Sequence, residues 1–355
     1  MNQQNILFTN NTAQAIDTAI NNIRPNGIFV LTDKNTAVDV WPQVKAESTM
    51  MSEATLITIN PGDTNKDLKS ATLIWENLIN GGATRHSAMI CLGGGMITDI
   101  GGFTASTFKR GIKFINMPTT LLSAVDAAVG GKTGINFNGL KNEIGVFSPA
   151  SHVIISTRFF NTLQKRELLS GYAEMLKHGL IDSAATFHKL IDSDPLEIDA
   201  GHMLELLKAS VEIKRRIVND DPYEQGIRRA LNLGHTAGHA LESLAMKKGK
   251  PVPHGYAVAW GCIIELILSH THCGFPTNTL RNAAQYIFSH YGTPDINCSD
   301  YQDLLEFMHH DKKNISSECI NFTMLSNVGR INIDRTATES EIKTALDIFR
   351  DLAGA

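Results

Sequence analysis

The sequence predicts an α/β N-terminal nucleotide-binding domain with a mainly parallel sheet, followed by a mainly α-helical metal-binding domain, and three observations carry that expectation. Short apolar runs ending in turn residues alternate with helical stretches through the first part of the chain. The apolar run 88–92 stops at Gly93, Gly94 and Gly95. From about Leu163 helix follows helix, and acids and histidines recur at helical spacing. A chain of 355 residues exceeds the usual size of one hydrophobic core, so two domains are expected, residues 1–162 and 163–355.

Residues 27–33 (GIFVLTD) read as a buried strand ending in Asp33, and 55–59 (TLITI) as another ending at Pro61 and Gly62. Strand-helix alternation of this kind implies parallel strands whose ligands sit beyond the carboxyl ends, where Asp33, Asn35, Asp63 and Lys66 fall. At Gly93–Gly95 backbone amides can approach a phosphate without side chains intervening. The G-x-G-x-x-G fingerprint fails by one residue, because Thr98 stands where its last glycine belongs, and a bare glycine run also serves as a tight connection. Asp99 reads as opening a helix, where it could equally cap free amides. IKFINMP is a strand ending at Thr119 and Thr120, and HVIISTR, from His152, a further one. Gly130 and Gly131 precede Lys132, which its apolar surroundings suggest is buried; Gly139 precedes Lys141 and Asn142. Each amine lies beside backbone flexible enough for close ligand approach.

In the second half, Glu174, Lys177 and His178 of GYAEMLKHG share one helical face, a spacing that by itself most often means an exposed Glu-Lys pair. His235 and His239 stand four apart, with Glu242 three further on, and His254 follows a loop holding Pro251 and Pro253. By spacing alone, three histidines and an acid can complete a helical metal site. Lys214, Arg215, Arg216, Arg228, Arg229, Lys312 and Lys313 form basic clusters, and solvated faces are the ordinary fate of such runs. The next strong strand signal is NFTMLSNVGRINI.

With 43% hydrophobic and 19% charged residues the composition is that of a soluble globular protein. A net charge of −4 argues against a general nucleic-acid binder. Five cysteines without a C-x-x-C pair suggest reduced thiols in the cytoplasm. The first residues lack a signal-peptide pattern, and no apolar run reaches membrane-spanning length.

The runs PTTLLSAVD and VDAAVGGKTGIN, with GYAEMLKHGLI from Gly171 and RRALNLGHTAGHALE from Arg228, resemble the 3-dehydroquinate synthases, sugar phosphate cyclases of the shikimate pathway, over residues 25–320. The resemblance implies that fold, a homodimer and NAD with a divalent metal, zinc or cobalt. It implies a seven-carbon keto-acid sugar phosphate as substrate, 3-deoxy-D-arabino-heptulosonate 7-phosphate. The implied reaction is transient oxidation by NAD, phosphate elimination, re-reduction and ring closure to 3-dehydroquinate.

Carried onto this chain, the resemblance assigns cofactor contacts to Asp33, Asn35, Asp63, Lys66, Gly94, Gly95, Met96, Asp99, Thr119, Thr120, Leu122, Lys132, Lys141, Phe159, Thr162, Leu163 and Glu167. It assigns the metal to Glu174, His235 and His254, leaving His239 for catalysis with Asp126, Lys132, Lys177 and Asn232. Substrate would meet Lys141, Asn142, Lys214, Arg228 and either Lys312 or Lys313, and Arg110 would reach across the dimer. Two positions depart from the family pattern: Asp63, where Glu is commoner, and Tyr256, where an acid usually follows the ligand histidine by two. Rival expectations are a valiolone- or inosose-type cyclase and a metal-dependent polyol dehydrogenase of the same fold.

Overall fold

A computed structural model describes residues 4–309 and 319–354. The chain forms two compact units, Met1–Gln164 with Asp199–Val211, and Lys165–Ile198 with Glu212–Ala355.

The first unit runs β1 (Asn5–Phe8), α1 (Thr12–Ile23), β2 (Ile28–Asp33), α2 (Lys34–Asp39), α3 (Trp41–Glu47), β3 (Thr55–Ile59), α4 (Leu68–Asn80), β4 (Ala88–Gly93), α5 (Gly95–Thr107), β5 (Lys113–Pro118), β6 (Lys132–Phe137), β7 (Leu140–Phe147) and β8 (His152–Ile155). Six of these strands form one sheet in the order β1-β8-β5-β4-β2-β3, every pair parallel. The expected strands are all present. In β2, β4 and β8 nearly every residue is buried, as continuous apolar runs covered on both faces require. Register sets Gly93 beside Pro118, so the glycine turn and the Thr119–Thr120 pair emerge together; the Thr119 amide donates to the Gly93 carbonyl at 3.0 Å.

The helix after the glycine turn begins at Gly95, not at Asp99, which lies a turn inside it. Glycine's weak helix propensity hides that first turn in the sequence. A Cβ at Gly101 would stand 2.4 Å from Cys91 Sγ, so Gly101 gives the close helix-strand packing for which the usual fingerprint uses its last glycine. Two features lack a strong apolar signal. Strand β1 is a four-residue edge strand, and β6–β7 is an antiparallel hairpin whose second strand is exposed throughout. Its turn residues, Asn138 (φ 50°) and Gly139 (φ 81°), have the left-handed backbone of a two-residue hairpin turn.

The second unit contains α6 (Lys165–Asp182) and α7 (Ala184–Ile191), then the end of α8 (Ala200–Asp220), which starts in the first unit. It continues with α9 (His235–Lys247), α10 (His254–Cys273), α11 (Thr277–Tyr291), α12 (Tyr301–His309), the antiparallel hairpin β9 (Ile320–Asn327) and β10 (Arg330–Ala337), and α13 (Glu339–Ala353). Helix α10 is apolar on nearly all sides, with Glu265 and Ser269 its buried polar residues, and is continuously buried from Ala257 to Ser269. It packs on α6, α9, α11, α13 and β9. Among the described residues no helix is long and apolar enough to cross a membrane.

Contact between α9 and α10 is close enough to exclude a side chain: a Cβ on Gly261 would lie 2.1 Å from the Gly234 carbonyl oxygen and 2.6 Å from the Gly238 nitrogen. Both are backbone atoms, so the helices would have to separate. Gly261→Ala is therefore expected to cost about 1–3 kcal/mol. A denaturant midpoint unchanged from that of the unsubstituted protein would show that α9 and α10 do not pack this closely.

Candidate active site

In the first unit a polar node forms around Lys66, 5% exposed. Its Nζ donates to Asp99 Oδ2 at 3.0 Å and to Asn142 Oδ1 at 2.6 Å, and stands 3.4 Å from Asp63 Oδ1. Lys141 Nζ lies 4.0 Å from Asp63 Oδ2. Asn136 Nδ2 donates to the Asp63 backbone and side chain, tying the β6–β7 hairpin to the loop after β3. Five residues from three separate segments, Asp63 and Lys66, Asp99, and Lys141 and Asn142, thus meet in one place.

Burial raises the Asp99 carboxyl to about 6 against the pull of Lys66, and the charges of Asp126 and Asp63 add to the rise. Burial also opposes charge on Lys66, but Asp99 and Asp63 more than offset it and the amine is shifted upward. A carboxyl raised from 3.8 to about 6 binds its proton more tightly in the folded chain. Its contribution to stability is therefore fullest at acid pH and declines as the pH rises through about 6.

Other expected residues of this unit have varied settings. Asp33 caps α2, its Oδ1 accepting from the Asn35 and Thr36 amides, while the Asn35 side chain is exposed. Gly94 and Gly95 pack toward Thr120 and Ala127, and Thr120 Oγ1 accepts from the Ser123 amide. Met96, Leu122 and Asp126 are half-buried, Asp126 within a single π-helical turn, and Phe159 is buried. Thr162 is exposed and Leu163 half-buried. Lys132 is exposed at the start of β6, correcting the expectation of a buried amine: it is the first residue of the strand, and burial begins only at Thr133. Lys109 (φ 48°) and Arg110 (φ 68°) are exposed cations in consecutive left-handed conformations, a strained turn of the kind functional sites retain.

The second unit gathers Glu174 from α6, His235 and His239 from α9, and His254 from α10. Glu174 is 0% exposed and its Oε1 accepts no hydrogen bond. That atom lies 3.6 Å from His235 Nε2 and 3.6 Å from His254 Nε2. These separations are too long for hydrogen bonds. They match the spacing of ligand atoms about a common cation, about 3.4 Å when four ligands sit near 2.1 Å from it. Ligand atoms of His235, His239 and His254 also lie within 4.8 Å of one another, so the three histidines grouped by spacing are gathered too, with His239 the exposed member.

Nδ1 of each inner imidazole has an acceptor. His235 Nδ1 donates to the Leu233 carbonyl at 3.1 Å and His254 Nδ1 to Glu242 Oε2 at 3.2 Å, which turns each Nε2 toward Glu174. Burial and the Lys177 charge hold His235 well below the usual imidazole value. Burial alone would lower His254 as well, but Glu174 and Glu242 raise it to about 9. Glu174, despite its burial, is held well below the usual carboxylate range, chiefly by Lys177 and His235.

Lys177 pairs with Glu174 Oε2, and with 1% and 0% side-chain exposure this is a buried pair, unlike the exposed one that i,i+3 spacing suggests. Lys214 and Arg228 are buried; Arg228 donates to the Pro222 carbonyl at 2.6 Å. Glu167 is half-buried, 3.5 Å from Arg166. Lys312 and Lys313 lie outside the described residues.

Asn232 Nδ2 donates to Glu224 Oε1 at 3.2 Å, and Glu224 has a left-handed backbone (φ 60°). Sequence reasoning missed Glu224; no local pattern announces a contact eight residues away across an irregular loop. Glu242, grouped by spacing with the possible metal ligands, instead orients one.

The parallel α/β unit and the helical unit have the fold of solved sugar phosphate cyclases. The chain aligns with a solved 2-deoxy-scyllo-inosose synthase (complexed with carbaglucose-6-phosphate, NAD⁺ and Co²⁺) at a TM-score of 0.86 and 22% identity, over 98% of this chain and 96% of that one. It aligns equally, at 0.86 and 22%, with 2-epi-5-epi-valiolone synthase from Streptomyces hygroscopicus, with NAD⁺ and Zn²⁺ bound, over 99% and 98%. Residues 56–170 match the N-terminal and 171–314 the C-terminal 3-dehydroquinate synthase domain family. A 3-dehydroquinate synthase of Parabacteroides distasonis is 45% identical over 354 residues, 100% of both chains. The chain belongs to the 3-dehydroquinate synthase family.

Replacing Lys66 by Met removes the main opposing charge at Asp99, so the Asp99 carboxyl is expected to titrate above about 6. Carboxyl ¹³C NMR across pH reads this directly. A titration unchanged or moved downward would mean that Lys66 does not neutralise Asp99.

Proposed function

We propose that this protein is a 3-dehydroquinate synthase, a phosphate-eliminating carbon-oxygen lyase that converts 3-deoxy-D-arabino-heptulosonate 7-phosphate into 3-dehydroquinate in aromatic amino acid biosynthesis. Identity of 45% along the whole of a 3-dehydroquinate synthase is the observation that carries the reading. Residues 1–162 are assigned to NAD, and residues 163–355 to the metal and substrate. The protein acts as a cytoplasmic homodimer to which Arg110 contributes across the interface; the strained, exposed turn at Lys109 and Arg110 supports that role.

Glu174, His235 and His254 would hold the divalent cation, zinc or cobalt. The buried, unbonded Glu174 Oε1 equidistant from two imidazoles supports this set over one built on His239. When bound, NAD supplies a hydride acceptor and the cation a Lewis acid. The chain's own groups do the rest. Lys177 engages Glu174 Oε2 and so leaves Oε1 to face the histidines. Arg228, a planar donor, suits the substrate carboxylate, and Lys132, Lys141, Lys214 and Asn142 suit its phosphate and hydroxyls. His239, exposed beside the two inner histidines, is placed to move protons. Glu224 takes up the amide nitrogen of Asn232 and leaves its oxygen to accept from a substrate hydroxyl. Asp126, beside the nicotinamide in this reading, adds negative charge near Asp99.

Metal-loaded protein given NAD and the heptulosonate phosphate is expected to release phosphate without accumulating NADH. Steady NADH accumulation would mean a dehydrogenase, and turnover of carboxylate-free sugar phosphates alone would mean another cyclase.

His235→Ala and His239→Ala separate the two metal sets. The first is expected to lose the metal, whereas the second keeps it and loses about 10²–10⁴-fold in rate. Equal metal loss in both, measured by elemental analysis after dialysis, would favour the set read from spacing, in which His239 is a ligand.

A further inference from the structure

Helix α9 begins at His235, and its first amides need acceptors that the helix cannot provide. The residue before it is Gly234, left-handed at φ 77°, which has no side chain to cap them. A side chain is also barred there, since a Cβ would stand 2.4 Å from Cys262 Sγ and 2.8 Å from the Val258 carbonyl oxygen. The acceptor comes from α10 instead. Glu265, 0% exposed, accepts from the Gly234 amide through Oε2 at 2.7 Å and from the Ala237 amide through Oε1 at 3.2 Å. Ser269, one turn further along α10, donates its hydroxyl to the Glu265 carbonyl and accepts from the Leu325 amide, which fixes this part of α10 against β9.

The Gly234 N–H and the Leu233 C=O are two ends of one peptide group. Glu265 grips the N–H end at 2.7 Å, and His235 Nδ1 donates to the C=O end at 3.1 Å. A carboxylate on the N–H polarises the amide and makes its carbonyl a stronger acceptor, because hydrogen bonds in series reinforce one another. We propose that Glu265 is a positioning residue for the metal site, acting on His235 through the Leu233–Gly234 peptide as Glu242 acts on His254 directly. The relay fixes His235 in the Nδ1–H tautomer and raises the basicity of its Nε2. The same carboxylate joins the backbone that carries His235 to the helix that opens with His254. This inference rests on the assignment of Glu174, His235 and His254 to the metal.

Glu265→Gln keeps the shape and removes the charge, and one of its two amide contacts is lost because an NH₂ group cannot accept. The metal dissociation constant, read by competition with a chelator, is expected to rise about 10- to 100-fold, and imidazole ¹⁵N NMR of the metal-free variant should show His235 losing its pure Nδ1–H tautomer. Glu265→Asp, which retains the charge, should recover part of the affinity. A lowered melting temperature with affinity and tautomer both unchanged would make Glu265 only a helix cap and overturn the proposal. Should the Gln variant not fold, the unsubstituted metal-free protein decides: an Nε2–H tautomer at His235 sinks the relay. His235→Ala run alongside distinguishes the two failures. If it binds metal as tightly as the unsubstituted protein, the ligand assignment is wrong; if it loses metal while Glu265→Gln keeps full affinity, only the relay is wrong.

Discussion

Three helix backbones touch where the second unit's chemistry gathers, and that contact is possible only without side chains. A Cβ on Gly255, the residue after His254, would lie 1.9 Å from the Ser170 carbonyl oxygen of α6, and one on Gly261 would strike α9. Ordinary helix pairs stay 8–10 Å apart at the axis because side chains fill the space between. Here α10 is drawn against α6 and α9 at once. Glu174 lies one turn past Ser170, His235 immediately after Gly234 and His254 immediately before Gly255. The distances of 3.6 Å from one carboxylate oxygen to two imidazoles follow from that packing.

Both units also bury a lysine against carboxylates, and they do so differently. Lys66 is shared between Asp99, Asp63 and Asn142, and so contacts strand β7 through Asn142. Lys177 pairs with Glu174 within its own helix. Removing two charges from water costs more than a bare pair returns unless further groups share the charge. At Lys66 the neighbouring amide and second acid do so. At Glu174 the imidazoles face the remaining oxygen, so the carboxylate stays ionised in the interior and available to a cation.

Much of this was legible in the sequence because apolar runs bounded by turns mark buried parallel strands. β2, β3, β4, β5 and β8 were all readable this way. β1 was not, since four residues at a sheet edge owe their strand state to pairing with β8. Strand β7 escaped because exposure on both faces removes the alternation that announces a strand, although Asn138-Gly139 carried the turn signal. The buried Glu174–Lys177 pair resembles any surface pair at that spacing. Only the small residues around it, Ser170, Gly171, Ala173 and Gly179, hint that other backbones come close. Residues that act across elements, Glu242 on His254, Glu224 on Asn232 and Glu265 on Gly234, leave no periodic trace at all.

Tyr256 shows how such a cross-element contact can replace a local one. Two residues past His254, where the resemblance leads to the expectation of an acid, this chain has an aromatic ring that packs edge-on against Trp260 and Tyr291. An acid there would have to pair its charge beside an aromatic cluster; the tyrosine adds apolar contact instead. His254 keeps an anionic partner nevertheless, because Glu242 reaches it from α9. Orientation and charge at Nδ1 are what the imidazole needs, and a carboxylate from either helix meets that need. Glu242 holds His254 from the neighbouring helix and so adds a further tie between α9 and α10, the two helices whose backbones already meet.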